Sequence, residues 1–225
     1  MMVPPHSQRN MGDLRHPLPQ PLPTLAVLAG GLGSRMGMDK ALLNIGGVSI
    51  LKHILGSINW KGPTLLIRGA GQVLPEGANQ FTRCAFDTIS GEGPLRGILT
   101  AIRNAPGMVV VATVDMPGIT AEILQTLLAS LESCAHLKGV MYTRQLESTR
   151  QVEPFPSAFR QSAGETIEAD LERGQRSIRK LLDYPDFGTL EADPFVPASI
   201  WANINTPQDL ALVTKPVRAE YDGTP

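Results

Sequence analysis

Cations and glycines crowd one stretch of this 225-residue chain, Thr24 to Lys40, which reads T-L-A-V-L-A-G-G-L-G-S-R-M-G-M-D-K. Gly30, Gly31, Gly33 and Gly37 carry no Cβ, so the backbone there can take positive φ and press against a ligand. Successive N–H groups in such a loop make an anion-binding concavity. Arg35 and Lys40 add the cations that a polyphosphate needs. Asp115 stands at the end of a near-continuous apolar run, Met108 to Val114. A carboxylate in that position is costly unless it is paired or bound to a metal. Magnesium on a nucleotide takes one or two protein carboxylates together with phosphate oxygens and water. Asp115 is therefore expected to hold Mg²⁺, the plainer alternative being a cap for a helix near Thr120. Asp87 opens a second glycine-bearing loop, D-T-I-S-G-E-G-P-L-R-G, where a local Asx-turn is the plainer alternative.

Two familiar phosphate loops fail on specific residues. The P-loop needs a lysine directly after a glycine and then Ser or Thr; here Asp39 precedes Lys40 and Ala41 follows it. The dinucleotide fingerprint needs a third glycine where Met36 stands, and an acidic residue roughly 20 positions on. No Asp or Glu occurs between Asp39 and Glu76. The pattern that fits, L-A-G-G-x-G-S-R-M-G-x-D-K, resembles the signature loop of nucleotidyltransferases that use a nucleoside triphosphate. Among these the chain is most similar to the molybdenum cofactor guanylyltransferases, the MobA family. The likeness extends over about residues 24 to 213 and rests on three further pieces: G-P-L-R-G at Gly93 to Gly97, V-D-M-P at Val114 to Pro117, and N-I-N-T-P at Asn203 to Pro207.

The resemblance implies transfer of GMP from GTP to molybdopterin, giving the guanine dinucleotide cofactor and pyrophosphate, with Mg²⁺ as cofactor. It places Leu28, Ala29, Gly30, Gly31 and Gly33 around the nucleotide and Lys40 on its phosphates, with Arg35, Lys40 and Asp115 acting in catalysis. It places Asp87 in the nucleotide site, Asp115 on the metal, and Arg176, Asn203 and Asn205 on the acceptor side. A phosphate-monoester nucleophile is anionic at neutral pH, so the work is positioning and charge neutralisation and needs no general base. One residue departs from the pattern: Arg68 ends the second strand, in the nucleotide site, where family members can carry Asn. Arginine can donate to guanine O6 but cannot accept from N1–H or the exocyclic amine. The alternatives are a cytidylyltransferase, whose loop usually resembles L-A-A-G, and a sugar-phosphate nucleotidyltransferase, whose loop usually resembles G-x-G-T-R. A non-catalytic nucleotide sensor is a further alternative; it has no need of both Lys40 and Asp115. The resemblance leaves room for transient contact with cofactor-biosynthesis proteins or recipient molybdoenzymes.

Strands must carry these loops. Leu25 to Leu28, Thr64 to Ile67, Thr82 to Phe86 and Met108 to Val114 read as strands. Between and after them, helical spacing runs through Ile50 to Ile58, Leu95 to Ile102 and Ile123 to Leu131. The alternation predicts an α/β fold with a mostly parallel sheet and helices on both faces, as a single domain. By the resemblance it is Rossmann-like, of the nucleotide-diphospho-sugar transferase type. Ligands in such sheets sit beyond the carboxyl ends of the strands, where the glycine loop, Arg68, Asp87 and Asp115 all fall. In the second half, Gly139 to Thr143 reads as a strand. Glu153 to Ser157 is proline-rich, fitting an edge strand or loop. Ala163 to Arg173 reads as a helix closed by Gly174, and Gln175 to Leu182 as a short helix. Ile200 to Ile204 reads as a strand before a helix capped by Thr206.

The domain is expected over residues 24–213, with a nucleotide-binding half at 24–133 and an acceptor half at 134–213. The stretch Met1–Pro23 holds six prolines and is expected to be a loose tail, in which Met11 offers a second start. Residues 214–225 read as a second tail. Net charge is −1, which gives no bulk attraction to nucleic acid or an anionic membrane. Two distant cysteines and four unclustered histidines fit no metal cage, and reduced thiols suit a cytoplasmic protein.

Overall fold

A computed structural model describes residues 21–30, 39–89, 91–206 and 209. Residues 1–20 of the expected tail 1–23 and all of the expected tail 214–225 lie outside these residues, as do Gly31, Gly33 and Arg35. Pro23, the last residue of the expected first tail, is tied to the body, its carbonyl accepting from Trp60 Nε1 at 3.1 Å.

Strand β1 (Thr24–Leu28) is buried along its whole length. A 3-10 turn (Lys40–Leu42) and a two-residue hairpin, β2 (Asn44–Ile45) and β3 (Val48–Ser49), lead into α1 (Ile50–Ile58). Then come β4 (Thr64–Arg68), β5 (Arg83–Phe86), α2 (Gly93–Asn104), β6 (Val109–Thr113) and α3 (Ala121–Ser133). The second half contributes β7 (Gly139–Leu146), β8 (Thr149–Phe159), α4 (Ala163–Glu172) and β9 (Phe187–Glu191). Seven strands form one sheet in the order β5-β4-β1-β6-β8-β7-β9. β5, β4, β1 and β6 run parallel; β8 is antiparallel to both β6 and β7, and β9 is parallel to β7.

The two-fold alternation of a strand sends side chains to two separate cores. Leu25 and Val27 face α1 and α3, through Ile50, Ile54, Leu124 and Leu127. Ala26 and Leu28 face α2 and α4, through Leu95, Ile98, Ile167 and Leu171. A sheet covered on both faces explains why these strands read as continuous apolar runs. The chain passes from β1 to β4 on one side and returns to β6 on the other, so the topological switch lies between β1 and β6.

Three sequence expectations change. The segment Glu153 to Ser157 lies within β8, between β6 and β7, and is not at a sheet edge. The ladder tolerates its prolines because the register jumps there. Met141 pairs with Ser157 and Tyr142 with Glu153, while the pairing to β6 starts only at Ser157. Pro154 and Pro156 thus fall where no ladder donor is needed. Ile200 to Ile204 is not a strand: Ala198–Trp201 is a 3-10 turn, and Ile204 N–H donates to the Asp115 carbonyl at 2.8 Å, past the end of β6. The place beside β7 belongs to β9, whose alternation of buried and exposed positions carries little apolar signal. Gln175 to Leu182 narrows to a 3-10 segment, Ile178–Asp183. Among the described residues no helix is long and apolar enough to cross a membrane.

Candidate active site

The carboxyl ends of β1 and β6 meet at a close backbone crossing. Leu28 O accepts from Val114 N–H at 3.0 Å, and Ala29 N–H donates to Ile67 O at 2.8 Å. A Cβ on Gly30 would lie 2.5 Å from the Gly69 nitrogen, so only glycine lets the chain leave β1 this close to the end of β4. Leu28 and Ala29 are 8% and 2% exposed. With their side chains buried and these backbone groups engaged, they set the origin of the glycine loop.

Beyond that loop the chain re-enters at Asp39. Its Oδ1 accepts from Ala41 N–H at 3.0 Å, capping the 3-10 turn that begins with Lys40. From there Lys40 Nζ reaches Asp115 Oδ2 at 3.1 Å and Asn205 Oδ1 at 2.9 Å. Asp115 receives its second bond from the Thr113 hydroxyl, at 2.5 Å on Oδ1. Neither oxygen caps the helix after Thr120, where no side-chain cap forms. Asp115 is therefore not the cap of α3. Lys40, Asp115 and Asn205, separated by 75 and 165 residues from the lysine, form one cluster at the switch point.

Asp87 ends β5, and its N–H donates to Arg68 O at 2.8 Å. Its Oδ1 accepts from Thr100 Oγ1 of α2 at 2.7 Å, so the carboxylate is held by a helix and is not free in a loop turn. Burial pushes this carboxyl above its ordinary range, the Thr100 hydroxyl and the Arg96 charge pull it back, and the Glu92 charge adds to the rise. Asp39 goes the other way. Burial would raise it, but hydrogen bonds from Arg68 and Ala41 N–H, with the Arg68 charge, outweigh burial and hold it below the usual carboxylate range.

Arg68 does not present a free guanidinium to a base. It is 0% exposed, with Nη2 on Asp39 Oδ2 at 2.5 Å, Nη1 on the Ala29 carbonyl, and Nε on Val73 O at 3.3 Å. Arg176 donates to Glu92 Oε1 at 2.8 Å and to Leu171 O at 2.7 Å. Glu92, immediately before α2, also receives Arg96 Nε at 2.6 Å. Arg176 is therefore joined to the second glycine loop through Glu92. Asn203 is exposed, one residue before the buried Ile204. Thr206 and Asp209 exchange the bonds of a capping box: Asp209 Oδ2 accepts from the Asn205 and Thr206 N–H groups, and Asp209 N–H donates to Thr206 Oγ1.

Glu92, Thr100 and Thr113 are partners that the sequence reading did not single out, and Asp39 entered it only as half of the Asp39-Lys40 pair that closes the loop pattern. Glu92 carried a signal in its i,i+4 spacing to Arg96. Asp39 carried one as an N-cap residue type just before a helical turn. Thr100 and Thr113 carried none.

Among the described residues no three His, Cys, Asp or Glu side chains converge as a metal cage. A divalent ion that arrives on phosphates needs only one or two protein carboxylates. The lone Asp115 carboxylate, already facing the Lys40 ammonium, fits that case and does not fit a metal caged by protein alone.

Comparison with known proteins bears on the family and the fold. The family model described as the MobA-like NTP transferase domain matches residues 25–189. The chain is 31% identical over 189 residues to a probable molybdenum cofactor guanylyltransferase of Deinococcus radiodurans, covering 84% of this chain and 92% of the relative. It is 29% identical over 196 residues to a molybdenum cofactor guanylyltransferase of Cupriavidus metallidurans, covering 86% and 95%. The fold superposes with TM-score 0.69 on molybdopterin-guanine dinucleotide biosynthesis protein A of Archaeoglobus fulgidus, at 24% identity over 85% of this chain and 96% of that one. It superposes with TM-score 0.62 on 2-C-methyl-D-erythritol 4-phosphate cytidylyltransferase of Thermus thermophilus, at 17% identity over 84% and 96%.

Proposed function

The chain belongs to the MobA-like NTP transferase family and, within it, to the molybdenum cofactor guanylyltransferases, and on that premise we propose that it transfers GMP from GTP to molybdopterin. The acceptor's phosphate oxygen attacks the α-phosphorus, a new phosphoanhydride bond forms, the α–β bond breaks, and pyrophosphate leaves with the bonding pair. The observation that supports this most directly is the Lys40–Asp115–Asn205 cluster at the switch point. It puts a cation, a metal-competent carboxylate and an amide together where a triphosphate and an acceptor would meet. Lys40 neutralises phosphate charge and Asp115 would hold Mg²⁺, which when bound supplies further charge neutralisation and orientation of the phosphates. Thr113 fixes the rotamer of Asp115, and Asp39 fixes the turn that aims Lys40. Asp87, held by Thr100, faces the nucleotide from the next loop. Arg35, Gly31 and Gly33, outside the described residues, would contribute the remaining phosphate contacts. Arg176 and Asn203 serve the acceptor side, and Asn205, bonded to Lys40, stands between the phosphates and the acceptor. We place the reaction in the cytoplasm, where the free thiols of Cys84 and Cys134 stay reduced.

The test is to incubate the purified protein with Mg²⁺, molybdopterin and each of the four nucleoside triphosphates and to measure pyrophosphate. GTP is expected to be turned over fastest and to raise the melting temperature most. Bound ligand stabilises by RT ln(1 + [L]/Kd), roughly 2.7 kcal/mol at 100 Kd. A larger response to CTP would replace the guanylyl reading with a cytidylyl one.

A further inference from the structure

Arg68 is among the largest fully buried side chains of the molecule. A buried charge is tolerated only when it is paired and hydrogen-bonded, and here every arm of the guanidinium has a partner. The partners have one thing in common: they bracket the glycine loop. Ala29, whose carbonyl accepts from Nη1, is the residue before Gly30. Asp39, which receives Nη2 at 2.5 Å and Nη1 at 3.3 Å, is the residue before Lys40. Arg68 O meanwhile accepts from Asp87 N–H at 2.8 Å. One residue thus touches both ends of the loop and the start of the second loop.

We propose that Arg68 is a positioning residue: it clasps the base of the glycine loop through Ala29 and Asp39 and does not read the base. By fixing Asp39 it fixes the 3-10 turn from which Lys40 reaches Asp115. The inference rests on the nucleotide-transfer reading of this site. Arginine suits the role because its planar fork meets two carboxylate oxygens and a carbonyl at once, whereas a lysine presents a point charge. An Asn at this position, shorter and uncharged, could not span the same two partners.

Two variants test it, Arg68→Lys, which keeps the charge and loses the fork, and Asp39→Asn, which keeps shape and removes the other half of the clasp. Asp39→Asn remains informative if Arg68→Lys does not fold. For each, inorganic tripolyphosphate binding with Mg²⁺ is measured by calorimetry, and kcat and KM are measured for GTP and CTP with molybdopterin as acceptor. Both variants are expected to lose tripolyphosphate affinity on the order of 10-fold or more, as a misplaced binding group does. KM for GTP and for CTP should rise by the same factor, leaving the preference between them as in the wild type. A changed GTP-to-CTP preference with tripolyphosphate binding intact overturns the clasp and makes Arg68 a base reader. Unchanged tripolyphosphate affinity in both variants, or no tripolyphosphate binding by the wild type, overturns it as well. Absence of pyrophosphate release by the wild type with every nucleotide overturns the transfer reading instead, and the tripolyphosphate measurement still decides the clasp.

Discussion

Asp115 divides its two oxygens between the Thr113 hydroxyl and the Lys40 ammonium, and the two bonds have different consequences. The first fixes a rotamer; the second is the bond that the proposed metal role of Asp115 requires a phosphate-borne cation to displace. Asp115→Asn keeps size but removes the charge, so turnover should fall on the order of 10²-fold or more, the usual effect of losing one preorganised electrostatic group. The pair is partly exposed, with side chains 16% and 26% accessible, so apo stability should change by no more than about 1 kcal/mol. Normal pyrophosphate release from this variant would remove Asp115 from the chemistry. Asp39 makes a different prediction. Its carboxyl is held below its ordinary range, so the stability it contributes is present above about pH 4 and is lost as pH falls through the lowered value. Melting curves between pH 3 and 7 should show a shallower acid limb for Asp39→Asn than for the wild type. Equal acid limbs would mean that Asp39 is not linked to folding. Lys40 and Asp115 were legible in the sequence because each closes a pattern, a glycine loop in one case and a buried strand in the other. The ties Arg68–Asp39 and Lys40–Asn205 were not legible, because no local periodicity links residues 29 and 165 positions apart.

At the scale of elements, the parallel half of the sheet follows from its apolar runs. β1, β4 and β6 are buried on both faces, so their sequence is continuous and β-rich. The second half was harder to read for a physical reason: its strands bend. β8 carries Pro154 and Pro156 through a register jump, and β9 is a half-exposed edge strand, so neither shows a clean period. What β1, β4 and β6 share is a tight approach at their carboxyl ends, and Gly30 stands in it against Gly69. Gly30→Ala would drive a Cβ to within 2.5 Å of the Gly69 nitrogen, and backbone cannot step aside as a side-chain tip can. The variant should lose about 1–3 kcal/mol, typical of overpacking, and should bind GTP more weakly because the loop leaves β1 displaced. Thermal melts with and without GTP and Mg²⁺ check both effects. Wild-type stability in Gly30→Ala would show that the two strand ends can part without cost.

Across the whole molecule, the far end of the chain returns to the first loop. Ile204 N–H holds the Asp115 carbonyl, and the capping box of Thr206 and Asp209 fixes the backbone on which Asn205 sits. Trp201 anchors the approach, edge-on to Tyr142 at 5.1 Å and beneath the Arg144 guanidinium. Asn203 and Asn205 flank the fully buried Ile204, yet only Asn205 reaches the lysine expected on the phosphates. The two asparagines should therefore separate in function. Asn205→Ala removes one of the two acceptors that position Lys40. It should raise KM for GTP on the order of 10-fold, the effect of losing a hydrogen bond to a charged group worth about 1.5 kcal/mol. Asn203→Ala leaves Lys40 and Asp115 as they are, so GTP binding should persist and any defect should fall on KM for molybdopterin. Steady-state kinetics with each substrate varied in turn, on both variants, decides between this layout and one in which the pair acts together. If both variants lose only acceptor affinity, Asn205 belongs to the acceptor alone and its bond to Lys40 does not matter to nucleotide binding.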